Sequence, residues 1–209
     1  GITYHKDGKI KQKGLYKDNV FIRGEAYYYH YESFTLMYEG HVEGALYFGK
    51  GKLYYENGNI EYEGNFNEGY PHGEGVYYHP NPAGKVKFRG TFEKGSPSFG
   101  KLYDVNGNVI YEGEMLHWKK HGKGVFYSPK GDKIAEGYFQ EDSIYRGIGK
   151  EFWEPSNVVK YEGEYDNGSR CGKGKLYFQN GSLEYEGGFE EGKYHGQGVL
   201  YCEKGKKLY

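Results

Sequence analysis

Three histidines, His72, His121 and His195, stand at the same place in three glycine-rich steps, "PHGEG", "KHGKG" and "YHGQG". Imidazoles repeated in register are the raw material of a metal site. The same slot, however, holds Phe21, Phe48, Pro97, Arg146 and Cys171 elsewhere in the chain. In a stack of hairpins successive copies lie about 10 Å apart, so His72 and His121, two copies apart, would be separated by roughly 20 Å. A zinc to nitrogen bond is about 2 Å long, and no metal is expected. A column of carboxylates, Glu39, Glu63, Glu112, Glu136, Glu162 and Glu186, raises the question of acid–base chemistry. Its spacing of about 10 Å exceeds the roughly 5 to 9.5 Å of paired catalytic carboxylates, and Lys13 and Arg89 interrupt it. A solvated face paired across strands is the expectation.

The remaining candidates fail on their own requirements. A phosphate loop needs GxxxxGK followed by Ser or Thr and then a helix; "GKGKLYY" and "CGKGKLYF" have neither. Cys171 and Cys202 sit at opposite ends of equivalent strands, offset by roughly 23 Å along the strand direction, which excludes a disulfide. No GxSxG or comparable nucleophilic constellation is present. The chain therefore offers no catalytic residue, no cofactor and no small-molecule substrate. With 28 basic residues against 29 acidic ones, well interspersed, it has no broad positive field for nucleic acid. No apolar run reaches the length of a membrane-spanning helix, and no signal peptide is visible.

What positions these residues is a repeat. Thirty-six glycines and 26 tyrosines in 209 residues leave little conventional aliphatic core, so any core must be made of rings lying on glycine. The glycine of "YEG" recurs at Gly14, Gly40, Gly64, Gly90, Gly113, Gly137, Gly163 and Gly187, at intervals of 23 to 26 residues. A second follows 10 to 12 residues later, at Gly24, Gly51, Gly75, Gly100, Gly124, Gly149, Gly174 and Gly198. Three residues beyond it stands an aromatic each time: Tyr27, Tyr54, Tyr78, Tyr103, Tyr127, Phe152, Tyr177 and Tyr201. The repeats occupy 12–37, 38–61, 62–87, 88–110, 111–134, 135–160, 161–184 and 185–208 in a single array over 1–209, with a half repeat at 1–11 and Tyr209 opening a ninth. Both ends cut the pattern, which predicts a longer parent array, or a capping extension or dimer partner over the terminal strands.

Each unit reads as a β-hairpin. "YEGNF" alternates with the period of a strand, and "GVYY" or "GKLYY" is the second strand. Asn57-Gly58, Asn106-Gly107 and Asn180-Gly181, with Asp7-Gly8, Lys130-Gly131 and Lys204-Gly205, are expected to be tight turns between units. The turn inside each unit, as in "NEGYPHG", is expected to be longer. Tyr62, Gly64 and Phe66 share one face, so the glycine leaves a floor for a neighbouring ring. The first ring recurs as Tyr38, Phe88, Tyr111, Tyr161 and Tyr185, the second as Tyr16, Phe92, Phe139, Tyr165 and Phe189. Gln12 and Ala135 replace the first ring, and Ile22 and Ser98 replace the glycine of the "HGxG" step; these copies are expected to be irregular. No helix is expected, and about 17 strands would stack over some 80 Å.

"YEGEYDNGSRCGKGKLYFQNGSLE", "YEGNFNEGYPHGEGVYYHP" and "YEGEMLHWKKHGKGVFY" closely resemble the MORN (membrane occupation and recognition nexus) repeat, and the likeness covers essentially the whole chain. The resemblance implies an all-β fold, an elongated, twisted, single-layer antiparallel sheet of consecutive hairpins. It implies a non-catalytic protein-interaction scaffold in the cytoplasm, at a cytoskeletal, ciliary or membrane-associated assembly. The partner would be a peptide, an amphipathic helix or a second copy of the chain. The residues expected to line a partner groove are Tyr54, Phe66, Tyr78, Phe92, Tyr103, Trp118, Tyr127, Phe139, Trp153, Tyr165, Tyr177 and Phe189, with the two tryptophans exposed because they stand outside the ring columns. Two alternatives are a phospholipid-binding surface using lysines such as Lys119, Lys120, Lys204, Lys206 and Lys207, and a regulatory arm of a larger enzyme.

Overall fold

The computed structural model describes residues 1–82 and 84–208; the expectation that Tyr209 opens a further repeat lies outside them. Among the described residues every regular element is a β-strand, and the seventeen strands found there belong to one open antiparallel sheet in which chain neighbours pair. The first nine are β1 (Ile2–Tyr4), β2 (Ile10–Lys17), β3 (Val20–Tyr29), β4 (Leu36–Glu43), β5 (Leu46–Tyr54), β6 (Ile60–Asn67), β7 (Tyr70–Tyr78), β8 (Val86–Glu93) and β9 (Ser96–Tyr103). The rest are β10 (Val109–Leu116), β11 (Lys119–Tyr127), β12 (Lys133–Gln140), β13 (Ser143–Trp153), β14 (Val158–Asp166), β15 (Ser169–Tyr177), β16 (Leu183–Glu190) and β17 (Lys193–Leu200). Two compact units divide the chain: Gly1–Ile110 with Met115–Trp118, and Tyr111–Glu114 with the chain from Lys119 onward.

The turn assignment from sequence is reversed. Inside each repeat the hairpin closes through two residues, as at Glu68-Gly69 between the paired Asn67 and Tyr70. Both have positive φ, 50° and 90°, the conformation whose twist matches that of the flanking strands. The Asn-Gly connections between repeats are the longer ones: Tyr54 and Ile60 form the last pair, with Tyr55 to Asn59 looping between them. There Gly58 has φ 82° and donates its amide to the Tyr55 carbonyl at 2.9 Å. The error has a physical source: "HGxG" reads as loop, but it is strand carrying a bulge.

The first unit shows how the rings pack. Gly40 pairs with Gly51, Gly51 with Gly64, Gly64 with Gly75 and Gly75 with Gly90. Tyr38, fully buried, lies across this line of glycines, and a Cβ on Gly51 would meet its hydroxyl at 2.6 Å and its ring at 2.8 Å. Tyr62 lies on Gly75 in the same way. Each hydroxyl then donates to a backbone carbonyl three residues on, Tyr38 to His41 at 2.6 Å and Tyr62 to Asn65 at 2.9 Å. That carbonyl belongs to a residue with no ladder partner in the repeat's second strand: Gly40 pairs with Gly51 and Val42 with Tyr47, so Phe48, Gly49 and Lys50 bulge opposite His41. The bulge glycines Gly49 and Gly73 have φ 65° and 69°, which explains the glycine after the histidine slot. Burial pushes the Tyr62 phenol up to about 12.

The second ring closes the packing. Phe66 stands edge-on to Tyr62 at 5.1 Å within its own repeat and to Tyr38 at 5.5 Å in the preceding one. Phe92 repeats this with Phe88 at 5.3 Å and Tyr62 at 5.0 Å. These T-shaped contacts set the positive ring edge against the negative ring face and add about 0.5 to 1.5 kcal/mol to each pair's burial. In the second unit Tyr161 and Tyr185 lie on Gly174 and Gly198, their hydroxyls donate to Glu164 and Gly188, and Phe189 bridges the two rings at 5.1 and 5.2 Å.

The irregular copies are irregular in an intelligible way. Phe88 has no hydroxyl, and Ser98 Oγ takes its place by donating to the Thr91 carbonyl at 3.2 Å. Where the first ring is missing altogether, the register slips. Strand β3 pairs Gly24 with Gly14 on one side but Ala26 with Gly40 on the other. Strand β13 pairs Gly147, not the expected Gly149, with Gly137, and Gly149 pairs with Ala135 and Gly163. A slip of two residues keeps every side chain on its own face, whereas a slip of one would reverse them all. Near Ala135 the lost ring is answered by an ionic group. Arg170 lies 4.7 Å from the Tyr161 ring centre and holds Glu151 through two hydrogen bonds, at 2.9 and 2.5 Å, while Tyr165 donates to the same carboxylate at 2.8 Å. Burial opposes ionisation of Glu151, but the bonds from Arg170 and Tyr165 outweigh it and hold the carboxyl below its ordinary range.

Three outcomes are expected in urea unfolding. Gly51→Ala, which drives a methyl into the Tyr38 ring, costs about 3 kcal/mol, whereas Gly58→Ala, strained only through its positive φ, costs about 1 kcal/mol; equal losses would contradict the ring-on-glycine packing. Tyr62→Phe and Ser98→Ala each lose about 1 kcal/mol, the worth of one net hydrogen bond, and no change in either would remove the equivalence drawn between them. The contribution of Glu151, whose folded value lies below the ordinary 4.5, is complete above that pH and is lost as pH falls through the folded value. Glu151→Gln is therefore less stable than the unsubstituted chain at pH 7 and converges on it in acid; curves that stay parallel would show that the carboxylate carries no such linkage.

Candidate interaction surface

A strand that turns Tyr38 to the ring face turns Glu39 to the other, so the sheet carries two chemically distinct faces. On the second face Lys52 stands between Glu39 and Glu63, 3.9 and 3.5 Å away, on three successive strands. Lys150 pairs with Glu162 and Lys175 with Glu186, both at 3.3 Å, in the second unit. The carboxylate column is thus the solvated, cross-strand-paired face expected from its composition. Such exposed pairs set register more than they stabilise.

The aromatic three residues after the second glycine belongs to this charged face. Tyr54 donates to Glu39 at 2.6 Å and Tyr177 to Glu162 at 2.8 Å. Burial and that bond push the Tyr177 phenol up to about 12; the bond from Tyr177, joined by Lys150, holds the Glu162 carboxyl below its ordinary range against the opposing effect of burial. The residues expected to line one groove therefore divide between two faces. Phe66, Phe92, Phe139, Tyr165 and Phe189 are buried in the ring packing. Tyr54, Tyr78, Tyr103, Tyr127 and Tyr177 are half-buried and alternate onto the charged face.

The tryptophans correct their expected exposure, both being half-buried. Trp118 occupies the second position of a two-residue turn, with φ 65°, and reaches Tyr77 at 4.9 Å and Phe88 at 6.1 Å, with the Lys87 ammonium 4.6 Å above it. Trp153 donates its Nε1 hydrogen to the Tyr177 carbonyl at 2.9 Å and lies under Lys160 at 4.6 Å. The Trp153 bond belongs to a column that the sequence did not disclose. At corresponding positions His5 meets the Tyr27 carbonyl, His30 that of Tyr54, and Tyr55 that of Tyr78, at 3.1, 3.1 and 2.8 Å. Histidine, tyrosine and tryptophan have only a ring-borne donor in common, so similarity of residue type could not reveal the column.

The histidine slot is polar surface at His72 and His195, the latter 2.9 Å from Glu190, and half-buried at His121. Among the described residues no three His, Cys, Asp or Glu side chains come together as a metal-binding group. Cys171 and Cys202 are both free thiols. In the second unit the charged face carries a groove of about 950 Å³. Gly149, Gly163, Gly174 and Gly187 line it together with Lys150, Glu162, Lys175 and Glu186 on one flank and Lys173 and Gln197 on the other. Ile148, also in its lining, is 65% exposed. A glycine floor between polar walls lets another chain's backbone approach closely.

The model of the MORN repeat matches residues 38–60, 62–81, 111–133, 161–183 and 185–207, together more than half of the chain. No curated protein matches it. All five matched segments open on a tyrosine, Tyr38, Tyr62, Tyr111, Tyr161 or Tyr185, whose hydroxyl donates to the carbonyl three residues on. The unmatched copies are those with Gln12, Phe88 or Ala135 in that place. On this match the chain belongs to the MORN-repeat family.

Proposed function

We propose that the chain is a non-catalytic scaffold that binds a partner protein through its charged face. MORN repeats are linked in general to protein and membrane interaction and are in general not enzymatic. The observation that supports the choice of face is the division of the rings. Those of the ring face are consumed by packing on glycine and on one another, while the charged face keeps half-buried tyrosines between carboxylates and ammonium groups. Aromatic rings with polar rims are what recognition surfaces use. A cytoskeletal, ciliary or membrane-associated assembly is the setting proposed for such a scaffold.

Affinity capture from a cell extract tests the reading. Tyr54→Ala/Tyr78→Ala is expected to lower partner recovery at least tenfold with the far-ultraviolet circular dichroism retained. Tyr31→Ala, at a loop position that is 93% exposed, is expected to leave recovery unchanged. Undiminished capture by the double variant would rule out the charged face of the first unit as the binding surface.

A further inference from the structure

Asparagine followed by glycine is a reactive pair as well as a turn signal. The glycine nitrogen attacks the asparagine side-chain carbonyl carbon: a bond forms from that nitrogen to Cγ, the bond from Cγ to Nδ2 breaks, and ammonia leaves with the proton of the glycine amide. A five-membered succinimide remains, and water opens it at either carbonyl to give aspartate or isoaspartate. Glycine permits the attack because no Cβ shields its nitrogen. The chain has four such pairs, Asn57-Gly58, Asn106-Gly107, Asn167-Gly168 and Asn180-Gly181.

Exposure and backbone do not separate the four. Each asparagine is exposed, and each glycine amide donates to a backbone carbonyl: Gly58 to Tyr55 at 2.9 Å, Gly107 to Asp104 at 3.0 Å, Gly168 to Tyr145 at 2.8 Å and Gly181 to Phe178 at 2.9 Å. The side chains differ. Asn57 accepts the Asn59 amide at 3.0 Å and donates to the Pro80 carbonyl at 3.3 Å. Asn167 accepts the Tyr145 hydroxyl at 2.5 Å and donates to Asp166 at 3.3 Å. Asn180 accepts both the amide and the hydroxyl of Ser182, at 2.9 and 2.6 Å. The Asn106 side chain has no hydrogen bond among the described residues; only its backbone amide is engaged. Cyclisation requires the side chain to turn until Cγ lies against the next nitrogen, and bonds that fix the amide oppose that turn.

The release of Asn106 has a cause in the loop. The same five-residue connection recurs at 5–9, 55–59, 104–108, 128–132 and 178–182, closed by a bond from the first amide to the fifth carbonyl. In each of these the fifth amide finds a side-chain acceptor, and the first residue decides which. Where the first residue is a ring, as at His5, Tyr55 and Phe178, the third residue accepts: Lys9 donates to Asp7 at 3.1 Å, Asn59 to Asn57 at 3.0 Å and Ser182 to Asn180 at 2.9 Å. Where it is short and polar, the first residue accepts instead, Asp104 from Asn108 at 2.8 Å and Ser128 from Asp132 at 3.1 Å. Asp104 also takes the amide of Asn106 at 2.9 Å, and the bonds from Asn108 hold its carboxyl below the ordinary range. The carboxylate therefore does the work that the asparagine side chain does in the 55–59 and 178–182 loops.

We propose that Asn106 is a site of spontaneous modification in this chain, cyclising onto Gly107 faster than the other three asparagines react and passing to aspartate and isoaspartate, because Asp104 has taken over the bond that would hold its side chain. The product sets a second carboxylate close to Asp104, and as isoaspartate it adds a methylene to the backbone of the 104–108 loop between β9 and β10. This chemistry is independent of which face binds a partner.

Peptide mapping by mass spectrometry on the full chain tests the proposal. The protein is held at neutral pH and body temperature and sampled over weeks, and conversion at each pair is read from the mass gain of its peptide, isoaspartate being separated from aspartate by retention. The same chain in urea gives the rate of each pair without structure, so that the folded rate divided by the urea rate removes the influence of neighbouring residues. That ratio is expected to be at least about fivefold larger for Asn106 than for Asn57, Asn167 or Asn180, the population change that one net hydrogen bond brings. Asp104→Phe, which copies the Phe178 loop, is expected to lower the Asn106 ratio to that of Asn180. An Asn106 ratio no larger than that of any other pair overturns the proposal, and an undiminished ratio in Asp104→Phe overturns the part given to Asp104. If that variant unfolds, all four pairs move to their urea rates together, and the comparison within the unsubstituted chain still decides.

Discussion

The sheet depends on a steric bargain between two residue types. A tyrosine ring can lie flat on the backbone of the next strand only where that strand has no Cβ, and the Gly51 and Gly174 positions would place one 2.6 Å from the tyrosine hydroxyl. The ring gains burial worth roughly 1.5 to 3 kcal/mol, and its hydroxyl would be stranded unless an acceptor were supplied. The bulge supplies it. By taking His41 or Asn65 out of regular pairing it frees a carbonyl three residues beyond the ring. Ring, facing glycine and bulge glycine therefore form one physical unit, and a sheet without an aliphatic core becomes buildable.

Much of this was legible in the sequence, because the constraint is local and recurs. Strand alternation placed Tyr62, Gly64 and Phe66 on one face, and the recurring glycines marked where rings would lie. Ser98 standing in for glycine could be seen, but its role could not: a hydroxyl that replaces another hydroxyl from the neighbouring strand is evident only once Thr91 and Ser98 are adjacent. The turn lengths were reversed because glycine and histidine near a hairpin tip look like loop, while a bulge with positive φ demands the same residues. In the sixth repeat, Gly147 and Gly149 are both glycine, and sequence spacing could not decide which faces Gly137. The absent ring at Ala135 decided it, through the slip it permits.

The two faces carry different relations between residue and function. On the ring face the aromatic side chains are committed to one another, so Phe66 and Phe189 answer to stability. On the charged face the half-buried tyrosines are held by carboxylates rather than by rings, and they remain partly open. Reading all aromatics as one groove merged two populations that alternation separates. The mistake was one of parity: three residues is an odd step, so an aromatic three beyond the second glycine stands on the face of the glutamates and not on that of the glycine.

A double-mutant cycle at Tyr161 and Gly174 tests the central claim most directly, because the ring and the facing glycine are in contact and the cycle cancels what each substitution changes by itself, including the loss of the Phe189 and Arg170 contacts of Tyr161. If the glycine exists to receive the ring, Gly174→Ala is strongly destabilising in the unsubstituted chain and nearly neutral once Tyr161→Ala has removed the ring, a coupling of about 2 kcal/mol or more. Additive losses, with the methyl costing as much without the ring as with it, would mean that the glycines serve the backbone alone.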